Sequence, residues 1–579
     1  MKANVHQYFA KCAAMLVALA MVWAGDPTAQ AESIINSKHN LSASGPGTIK
    51  ASTETEVCIF CHTPHRSSDL MPLWNHHTSA VDNYTPYSST TLKATVGQPT
   101  GASKLCLSCH DGTVALGMVY SRTTPIAMQN SVTTMPDGPS NVGTDLSSDH
   151  PISFVYDSAL AAAHGQLKDP STLTERVRLD HNNEMQCTAC HDPHNNQYGN
   201  FLVMDNTASA ICITCHDLPG WSGSAHGTST ARMPEAASLN QALAEMASVK
   251  KVSSSKHTVA DNACASCHVP HKSGSRQRLL KESREDQTCY TCHGGNSKTG
   301  KNIAAEFNKF SVHPVLTTSG LHDPMEDLIN SDRHASCSDC HNTHFSTGNK
   351  AAAPNASGAI LGTRGVSSGG TLVKSITKEY ELCFRCHGDS LAPAPSQVPR
   401  QFTSTNARLK FSPSNKSFHP VVSPGRNPHV PSLIAPWTPS SMMKCTDCHN
   451  NDQAPAAGGT GPNGPHGSAH SPLLERNLTM VDFRPESPIE YALCYKCHDR
   501  SSILSDQSFK GHRKHIVDYQ TSCTTCHDSH GASNPGLINF NTTYATPSSS
   551  GQLYYQSIGN RNSSCALTCH GKDHNPLSY

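Results

Sequence analysis

The sequence predicts an irregular fold, made mostly of loops with short α-helices and very little β-structure, and arranged as an elongated modular array. Three observations favour this class. Only 36% of the 579 residues are hydrophobic and 6% are aromatic, which is little material for a conventional packed core. The chain holds 38 Gly and 37 Pro, residues that interrupt helices and strands. It also holds 25 Cys and 36 His, far above ordinary usage.

The charge balance excludes some classes of partner. Lys and Arg number 44, as do Asp and Glu, so the formal net charge is zero. A protein that binds nucleic acid or an anionic membrane surface normally presents an excess of basic residues. The sequence therefore favours neither partner.

The N-terminus predicts export. Lys2 and Lys11 come before an apolar run over residues 13–24, and Ala29-Gln30-Ala31 has the small-x-small form of a cleavage site. The apolar run is too short to span a bilayer. We expect residues 1–31 to be a signal peptide, and the mature chain to be soluble and located in the periplasm or at the outer surface.

The remaining cysteines form twelve pairs, each followed at once by histidine; Cys12 is expected to leave with the signal. Eleven pairs have the form Cys-x-x-Cys-His, and we number them in chain order as motifs 1 to 11. They are Cys58/Cys61/His62, Cys106/Cys109/His110, Cys187/Cys190/His191, Cys212/Cys215/His216, Cys264/Cys267/His268, Cys289/Cys292/His293, Cys337/Cys340/His341, Cys383/Cys386/His387, Cys445/Cys448/His449, Cys494/Cys497/His498 and Cys523/Cys526/His527. Motif 12, Cys565-Ala-Leu-Thr-Cys569-His570, has one extra residue between its cysteines.

Three kinds of site could use cysteine pairs of this form. Disulfides would explain an even number of cysteines in an exported chain, but not the histidine after each pair. Zinc would need four ligands in tetrahedral sets. Covalent attachment of c-type haem explains both residue types, because two cysteines bond the haem and the next histidine ligates its iron from the proximal side. The sequence thus predicts twelve haem c groups, which would supply the apolar core that the side chains do not.

Apart from the motif histidines and His6, the chain has 23 histidines. We expect the second axial ligand of each iron to be among them. One group lies three residues after the histidine of an odd-numbered motif, which indicates six modules of two motifs each. Three residues are too few to reach the far side of the same haem, so each is expected to ligate a neighbouring one. This group is His65, His194, His271, His344 and His530, with His466 standing in after motif 9 and His470 close by.

A second group lies upstream of each module, often in Ser-x-His or His-Pro settings. One histidine from each group per module gives the twelve ligands required. The upstream candidates are His39, His150, His226, His313, His419 and His515; the alternatives are His181, His257, His334, His429, His512 and His574. His76, His77, His164 and His322 are expected at the surface.

These motifs resemble a known family. The segments SKHNLSASGPGTIK, CIFCHTPH, CLSCHDGTVA, LSSDHPISF and CTACHDPH at the start, and YALCYKCHDRSSIL, CTTCHDSHG and CHGKDH at the end, are similar to exported multihaem c-type cytochromes of metal-reducing bacteria with doubled CXXCH motifs. The resemblance implies haems with two histidine ligands and a role in respiratory electron transfer between periplasm and outer surface. It also implies partners among other cytochromes or mineral electron acceptors, and in some members assembly into filaments.

The predicted function is therefore electron transfer by hopping from haem to haem, with no catalytic residues. The alternative is a multihaem reductase of nitrite, hydroxylamine or sulfur oxyanions, which would need one haem with an open iron. All twelve motifs keep histidine, and histidines are in excess, so the sequence favours the carrier.

The motifs also suggest domain boundaries and two longer helices. After the signal peptide (1–31), we expect modules over 32–220 (motifs 1–4), 221–300 (motifs 5 and 6), 301–400 (motifs 7 and 8) and 401–579 (motifs 9–12). Longer helices are expected at Ser158–Gln166 and Glu235–Lys250, where apolar residues recur at helical spacing.

Overall fold

A computed structural model describes residues 33–68, 73–234, 257–295, 300–317, 323–391, 396–559 and 561–579. In these residues the chain consists mostly of turns and loops that connect short helices and short strands, so the predicted loop-rich fold class is confirmed. The longest α-helix of the described residues, Gly101–His110, has ten residues. The predicted helix Glu235–Lys250 lies outside them.

Several of the helices contain an attachment motif or end on one. The α-helices are Gly101–His110, Ser158–His164, Ala210–Cys215, Val259–Asn262, Glu285–His293, Ile303–Glu306, Cys337–Cys340, Glu379–His387, Ala407–Lys410, Ala492–Tyr495, Arg500–Leu504 and Cys523–Cys526. Single 3₁₀ turns cover Ile34–Asn36, Cys58–Phe60, Gln129–Ser131, Pro170–Thr172, Cys187–Ala189, Thr207–Ser209, Trp221–Gly223, Ala263–Ser266, Val315–Thr317, Gly358–Ile360, Cys445–Asp447, Pro455–Ala457 and Pro535–Leu537, and Lys514–Asp518 is a π-turn.

The helix expected at Ser158–Gln166 is present as Ser158–His164. Asp157 caps its start by accepting a hydrogen bond from the backbone N–H of Leu160. The helix ends two residues before the expected position because Gly165 adopts the left-handed conformation that terminates helices, with φ of 72°.

All strand pairs are antiparallel. The strands are two residues long except for the last three, at the C-terminus. They are β1 (Phe154–Val155), β2 (Glu184–Met185), β3 (Ser311–Val312), β4 (Gly365–Val366), β5 (Leu372–Val373), β6 (Ser417–Phe418), β7 (Gly467–Ser468), β8 (Gly531–Ala532), β9 (Ala545–Thr546), β10 (Tyr554–Gly559), β11 (Asn562–Cys569) and β12 (Lys572–Ser578). Strands β10, β11 and β12 form a meander, with β9 also paired to β11; the other pairs are β1–β2, β3–β7, β4–β5 and β6–β8. The sequence did not predict this C-terminal sheet.

Most odd-numbered motifs share one local fold. The chain leaves the motif, turns, and returns so that a backbone N–H of the returning segment donates to the carbonyl of the second cysteine, at 2.8–3.0 Å. The donors after motifs 1, 3, 5, 9 and 11 are Asn75, Val203, Lys281, Glu475 and Asn539. This recurrence is the structural counterpart of the two-motif repeat in the sequence.

The apolar core of the described residues is fragmentary. It consists of small clusters, of which one is formed by Phe154, Tyr156, Ala161 and Met185 with Ala189. Motif cysteines border most of these clusters, among them Cys61, Cys190, Cys215, Cys445, Cys526, Cys565 and Cys569. Side-chain packing alone therefore leaves the surroundings of the motifs only partly filled, as the composition predicts.

The chain divides into two compact units. Among the described residues, the first comprises residues 33–87 and 93–216 and holds motifs 1 to 4. The second comprises 88–92 and the described residues from 217 to 579, with motifs 5 to 12. Boundaries within the second unit stay a prediction. None of the helices in the described ranges is long and apolar enough to cross a membrane.

A buried ion-pair cluster joins motifs 7 and 8. Arg385, between the cysteines of motif 8, is 5% exposed and contacts two carboxylates. Its guanidinium donates to Asp339 Oδ1 at 2.6 Å and to the Asp339 carbonyl at 2.9 Å, and it also pairs with Glu326. The guanidinium thus pairs with two carboxylates at once, and His334 Nε2 lies 3.2 Å from Glu326 and 3.5 Å from Asp339.

We expect Arg385→Met to lower the free energy of unfolding by about 3–5 kcal/mol, because it removes the buried guanidinium that pairs with both carboxylates. Denaturant unfolding followed by far-UV circular dichroism measures this. The matched control is Arg122→Met, which removes the exposed ion pair with Glu54 and should change stability by less than about 1 kcal/mol. Equal losses in the two variants would contradict the assigned role of burial.

Candidate metal centres

The eleven regular motifs share a turn that brings their cysteines to one side. In motif 1 the backbone N–H of His62 donates to the carbonyl of Cys58 at 2.8 Å, and in motif 3 His191 donates to Cys187 at 3.0 Å. The same bond closes motifs 4, 5, 7, 9, 10 and 11, and the other three motifs end α-helices. Residues three apart in a helical turn lie on one face. Both sulfurs of a motif can therefore reach one edge of a planar ligand.

All 24 cysteines of the twelve motifs lie in the described residues, and no disulfide joins any of them. Their side chains are mostly half-buried rather than exposed. Burial raises the pKa of the Cys61 thiol to about 11 and of the Cys190 thiol to about 12. Burial therefore favours the neutral thiol form of these two residues.

Ten of the twelve motif histidines face a second histidine across a gap of nearly constant width. The distances between ring centres run from 6.0 to 6.5 Å: His39–His110, His62–His194, His150–His216, His226–His293, His268–His344, His313–His387, His341–His466, His419–His498, His449–His530 and His512–His527. This separation is too large for stacked rings in contact. A metal ion bound by two imidazoles, with bonds of about 2 Å and ring centres about 1 Å further out, separates the centres by about 6 Å.

Hydrogen bonds at the outer ring nitrogen orient most of these histidines. His268 Nδ1 lies 2.8 Å from the carbonyl of Arg278, His341 Nδ1 lies 2.9 Å from that of Ala359, and His110 Nδ1 lies 2.6 Å from that of Ser140. A carbonyl can only accept, so Nδ1 carries the proton and Nε2 keeps its lone pair. The orientation leaves Nε2 as the nitrogen available to a metal.

Burial favours the neutral form of many of the paired imidazoles. Desolvation first, and the facing histidine second, lower the pKa of His344, His387, His449, His466 and His498 to about 4 each, and that of His512 to about 3. A neutral imidazole is the form that binds iron, whereas a protonated one cannot. The sites are thus suited to metal ligation at neutral pH.

Nine of the predicted distal candidates face a motif histidine, and they do so by two rules. The upstream candidates face the second motif of their own module, as His39 faces His110 of motif 2. The downstream candidates face the motif two positions earlier, as His194 faces His62 of motif 1. His150, His226, His313 and His419 follow the first rule, and His344, His466 and His530 follow the second.

The two groups of candidates are also tied to each other by hydrogen bonds. Nδ1 of four of the six upstream histidines bonds the carbonyl of the residue just before a downstream histidine. The bonds are His39 to Pro193 (3.0 Å), His226 to Thr343 (3.3 Å), His313 to Pro465 (2.7 Å) and His419 to Ser529. Pro465 precedes His466, so the substitute residue in the fifth module is held in the same way as the regular ones.

The remaining predicted ligands are placed differently. His65 is exposed, and among the described residues no ring lies against it. His515 faces His574 rather than a motif histidine, and His570 bonds Asp482. The role of His271, and the second ligand opposite His191, stay predictions.

His512 and His574 each face another histidine, although the sequence indicated them only as alternatives to the upstream candidates. His512 faces His527 of motif 11. The sequence feature that could have identified His512 is its His-x-x-His spacing to His515, which is the same spacing as in the downstream group. The expectation that His76 lies at the surface was wrong: it is fully buried, and its Nδ1 lies 2.8 Å from the carbonyl of His77.

The motifs follow one another in space in the same order as in the sequence, within each unit. Second cysteines are neighbours within a module, where one member of each pair raises the pKa of the other's thiol. First cysteines are in hydrogen-bonding contact between modules. The second-cysteine neighbours are Cys61/Cys109, Cys190/Cys215, Cys267/Cys292, Cys340/Cys386, Cys448/Cys497 and Cys526/Cys569. The first-cysteine contacts are Cys106/Cys187, Cys289/Cys337, Cys383/Cys445 and Cys494/Cys523.

Comparison with known proteins agrees with this donor set. Residues 256–418 match the family model described as outer membrane cytochrome MtrC/MtrF-like, domains II/IV, and residues 181–218 match the model of the doubled CXXCH motif. The chain is similar to multihaem c-type cytochromes. One curated relative is the multiheme cytochrome MtrA of Shewanella baltica (strain OS185), 27% identical over 180 residues. That alignment covers 27% of this chain and 42% of the relative, so the chain spans less than half of the relative's length.

The residues present fit c-type haem on the evidence of their own geometry. Each regular motif offers two thiols on one side of a turn, and ten offer an imidazole whose free nitrogen faces a second imidazole at the width of a bis-histidine iron. Two histidines fill both axial positions of a haem iron. A centre of this kind changes oxidation state with little movement of its ligands.

Proposed function

We propose that the protein is an exported dodecahaem cytochrome that carries electrons by hopping from haem to haem. The observation that carries the proposal is the unbroken order of motif contacts within each unit, together with paired imidazoles at ten motifs. Haem iron supplies a reversible one-electron couple. The protein's own part is to hold successive haems edge to edge and to fill both axial positions of their irons.

The ligands indicate the range of potentials. Histidine on both sides, without the methionine that raises the potential of other cytochromes, favours low-potential haems. Such potentials suit a respiratory route that ends outside the cell, at metal oxides or at other cytochromes. The similarity to MtrC/MtrF-like domains and to MtrA supports this route. Assembly into filaments is a further form that the same array could take.

The order of the cysteine contacts between motifs also bears on how electrons would move between the haems. Neighbouring motifs meet alternately through their second and their first cysteines. Both cysteines bond the edge of the porphyrin, so each contact brings two haem edges close together. Every haem within a unit thereby has its sequence neighbours as its neighbours in space, which defines a single path for electrons.

Carbon monoxide tests the proposal against the reductase alternative. We expect the optical spectrum of the reduced holoprotein to be unchanged by carbon monoxide, because bis-histidine iron has no open position. A stepwise reductive titration of the same sample should show uptake of about twelve electrons per chain. A spectral shift corresponding to one haem would contradict the proposal and favour a reductase with one open iron.

A further inference from the structure

Within each unit, consecutive modules meet where the first cysteines of two motifs are in contact, and two of these junctions share a further feature. Cys289 of motif 6 contacts Cys337 of motif 7, and Cys383 of motif 8 contacts Cys445 of motif 9. At both junctions the helix of the earlier motif begins with a glutamate, four residues before its first cysteine. One helical turn puts that glutamate and that cysteine on the same face. The two glutamates are Glu285 and Glu379.

Glu285 holds the turn of motif 7 from the preceding module. Its Oε1 accepts a hydrogen bond from the backbone N–H of Ser338 at 2.6 Å, and its Oε2 accepts one from the Ser338 hydroxyl at 2.7 Å. Ser338 directly follows Cys337, so its N–H belongs to the first turn of the helix Cys337–Cys340. Backbone donors in a first turn have no partner within their own helix. The carboxylate of one module therefore completes the helical turn of the next.

Glu379 makes the same contacts with motif 9. Its Oε1 accepts a hydrogen bond from the backbone N–H of Thr446 at 3.0 Å and another from the Thr446 hydroxyl at 2.9 Å. Thr446 directly follows Cys445, as Ser338 follows the first cysteine of motif 7. Both recipient motifs place a hydroxyl residue and then Asp between their cysteines. We call these two contacts the carboxylate clamps.

The described residues show no such clamp at two other junctions within the units. At motif 2 the corresponding residue is Ala102, which has no carboxylate. At motif 10 it is Glu490, but this carboxylate bonds the hydroxyl of Thr479. The N–H of Thr524, which follows the first cysteine of motif 11, bonds the Ser522 hydroxyl at 3.3 Å instead. Glu490 thus has the residue type and position of a clamp without its contacts, which makes it a natural control.

Both clamps place an acidic group in a buried position between two motifs. The side chains of Glu285 and Glu379 are 8% and 7% exposed. The facing cations are Arg278 and Lys444, each 3.7 Å away, which is too long for a hydrogen bond. Burial raises the pKa of Glu379 above its ordinary value, while the Thr446 N–H and Lys444 counteract this rise. Two donors on each carboxylate favour its ionised form, because an ionised carboxylate only accepts.

The field of each carboxylate reaches the cysteine beside it. The pKa of the Cys289 thiol is raised first by its hydrogen bond with Cys337, then by burial and by the charge of Cys337, and further by Glu285. Glu379 adds to the rise at Cys383 in the same way. A negative charge that opposes ionisation of a sulfur also opposes the arrival of an electron at a group bonded to that sulfur. The clamps therefore disfavour reduction at both motifs that they join.

We propose that Glu285 and Glu379 are positioning residues that fix consecutive modules against each other and lower the midpoint potentials of the haems at motifs 6, 7, 8 and 9. This rests on the proposed haem content. Because the two clamps lie at successive module junctions of the second unit, they act on four haems that follow one another along the electron path.

The test of the charge compares Glu379→Gln with the parent holoprotein at pH 8, well above the ordinary carboxyl range. Glutamine keeps an oxygen that accepts hydrogen bonds but carries no charge. Spectroelectrochemical titration should show two of the twelve haems at higher midpoint potential, with a change of about tenfold in the reduction equilibrium, or about 59 mV for one electron. Glu285→Gln should move two other haems in the same direction.

The control for net charge is Glu175→Gln, which removes the same charge from an exposed side chain. Solvent and salt screen such a charge, so its titration should match that of the parent. Equal titrations of the parent and of Glu379→Gln, with the same number of haems by intact mass, would overturn the proposal. A shift in Glu175→Gln as large as that in Glu379→Gln would overturn it as well.

Hydrogen exchange followed by mass spectrometry tests the positioning role. Glu379→Ala removes both hydrogen bonds, so we expect the backbone N–H of Thr446 to exchange about tenfold faster or more, because hydrogen bonds to charged groups are the stronger ones. Glu379→Gln should keep most of the protection, and it keeps the proposal testable if Glu379→Ala fails to fold. Glu490→Ala should leave exchange at Thr524 unchanged.

Unchanged exchange at Thr446 in a folded Glu379→Ala would show that the clamp does not hold the junction. Equal acceleration at Thr524 in Glu490→Ala would contradict the distinction between the two glutamates. Failure of the proposed function would appear differently, as carbon monoxide binding by the parent itself.

Discussion

Replacement of His466 by Ala is expected to open one iron, so that the reduced variant binds one carbon monoxide per chain and the parent binds none. His466 faces His341 of motif 7 with ring centres 6.0 Å apart and ring planes within 9° of parallel. It is half-buried, and desolvation together with the facing His341 lowers its pKa to about 4. Removal of this imidazole leaves the motif 7 iron with His341 alone.

The matched control for this variant is His470→Ala. His470 is the other histidine close to the fifth module's missing position, and its backbone N–H bonds Ser468 without any facing imidazole among the described residues. We expect its spectrum to match that of the parent. The assignment of His466 would be wrong if His470→Ala bound carbon monoxide and His466→Ala did not. Added imidazole should restore the parental spectrum of His466→Ala by refilling the vacated position.

The fully oxidised protein is expected to give two classes of low-spin signal in electron paramagnetic resonance, because ligand planes alternate along the chain. At odd-numbered motifs 1, 5, 7 and 9 the facing rings lie 8–19° from parallel. At even-numbered motifs 2, 4, 6, 8 and 10 they cross at 53–83°. The pair at motif 11 is intermediate, at 45°.

The orientation of the two rings sets the splitting of the iron orbitals that hold the unpaired electron. Parallel imidazoles interact with the same one of two π-type d orbitals and separate their energies, which gives an ordinary rhombic signal. Crossed imidazoles interact with one orbital each and leave them nearly equal, which gives a strongly anisotropic signal. Ligand arrangement is one of the means by which a protein tunes haem electronics. We therefore expect both signals in comparable amounts.

Single-ligand variants test which haems give which signal. His194→Ala removes a ligand from the parallel pair at motif 1 and should reduce the rhombic class only. His39→Ala removes one from the crossed pair at motif 2, at 64°, and should reduce the anisotropic class only. Loss from the same class in both variants would contradict the alternation. The pair is well matched because the hydrogen bond from His39 to Pro193 places both ligands side by side.

The attachment motifs could be predicted from local sequence, because five consecutive residues in one turn contain the two cysteines and the histidine that covalent haem attachment requires. The loop-rich fold was predictable for the same reason: few apolar residues, with many Gly and Pro, cannot form large helical or sheet layers. Recurrence every two motifs also pointed to nine histidines that face a motif histidine, including the displaced His466. The C-terminal sheet was missed because short polar alternation with one Gly turn is a weak strand signal.

The attachment motifs and the surplus of histidines can be read from local sequence alone, and a signal peptide is predicted from it. Which imidazole faces which motif depends on the folded chain. His194 serves motif 1 although it follows motif 3 in the chain, and His512 rather than His515 faces His527. Such pairings join residues more than a hundred positions apart in some cases, and they depend on how loops return in space. Local spacing fixes the geometry of a single turn, but it contains no information about the fold between two distant turns.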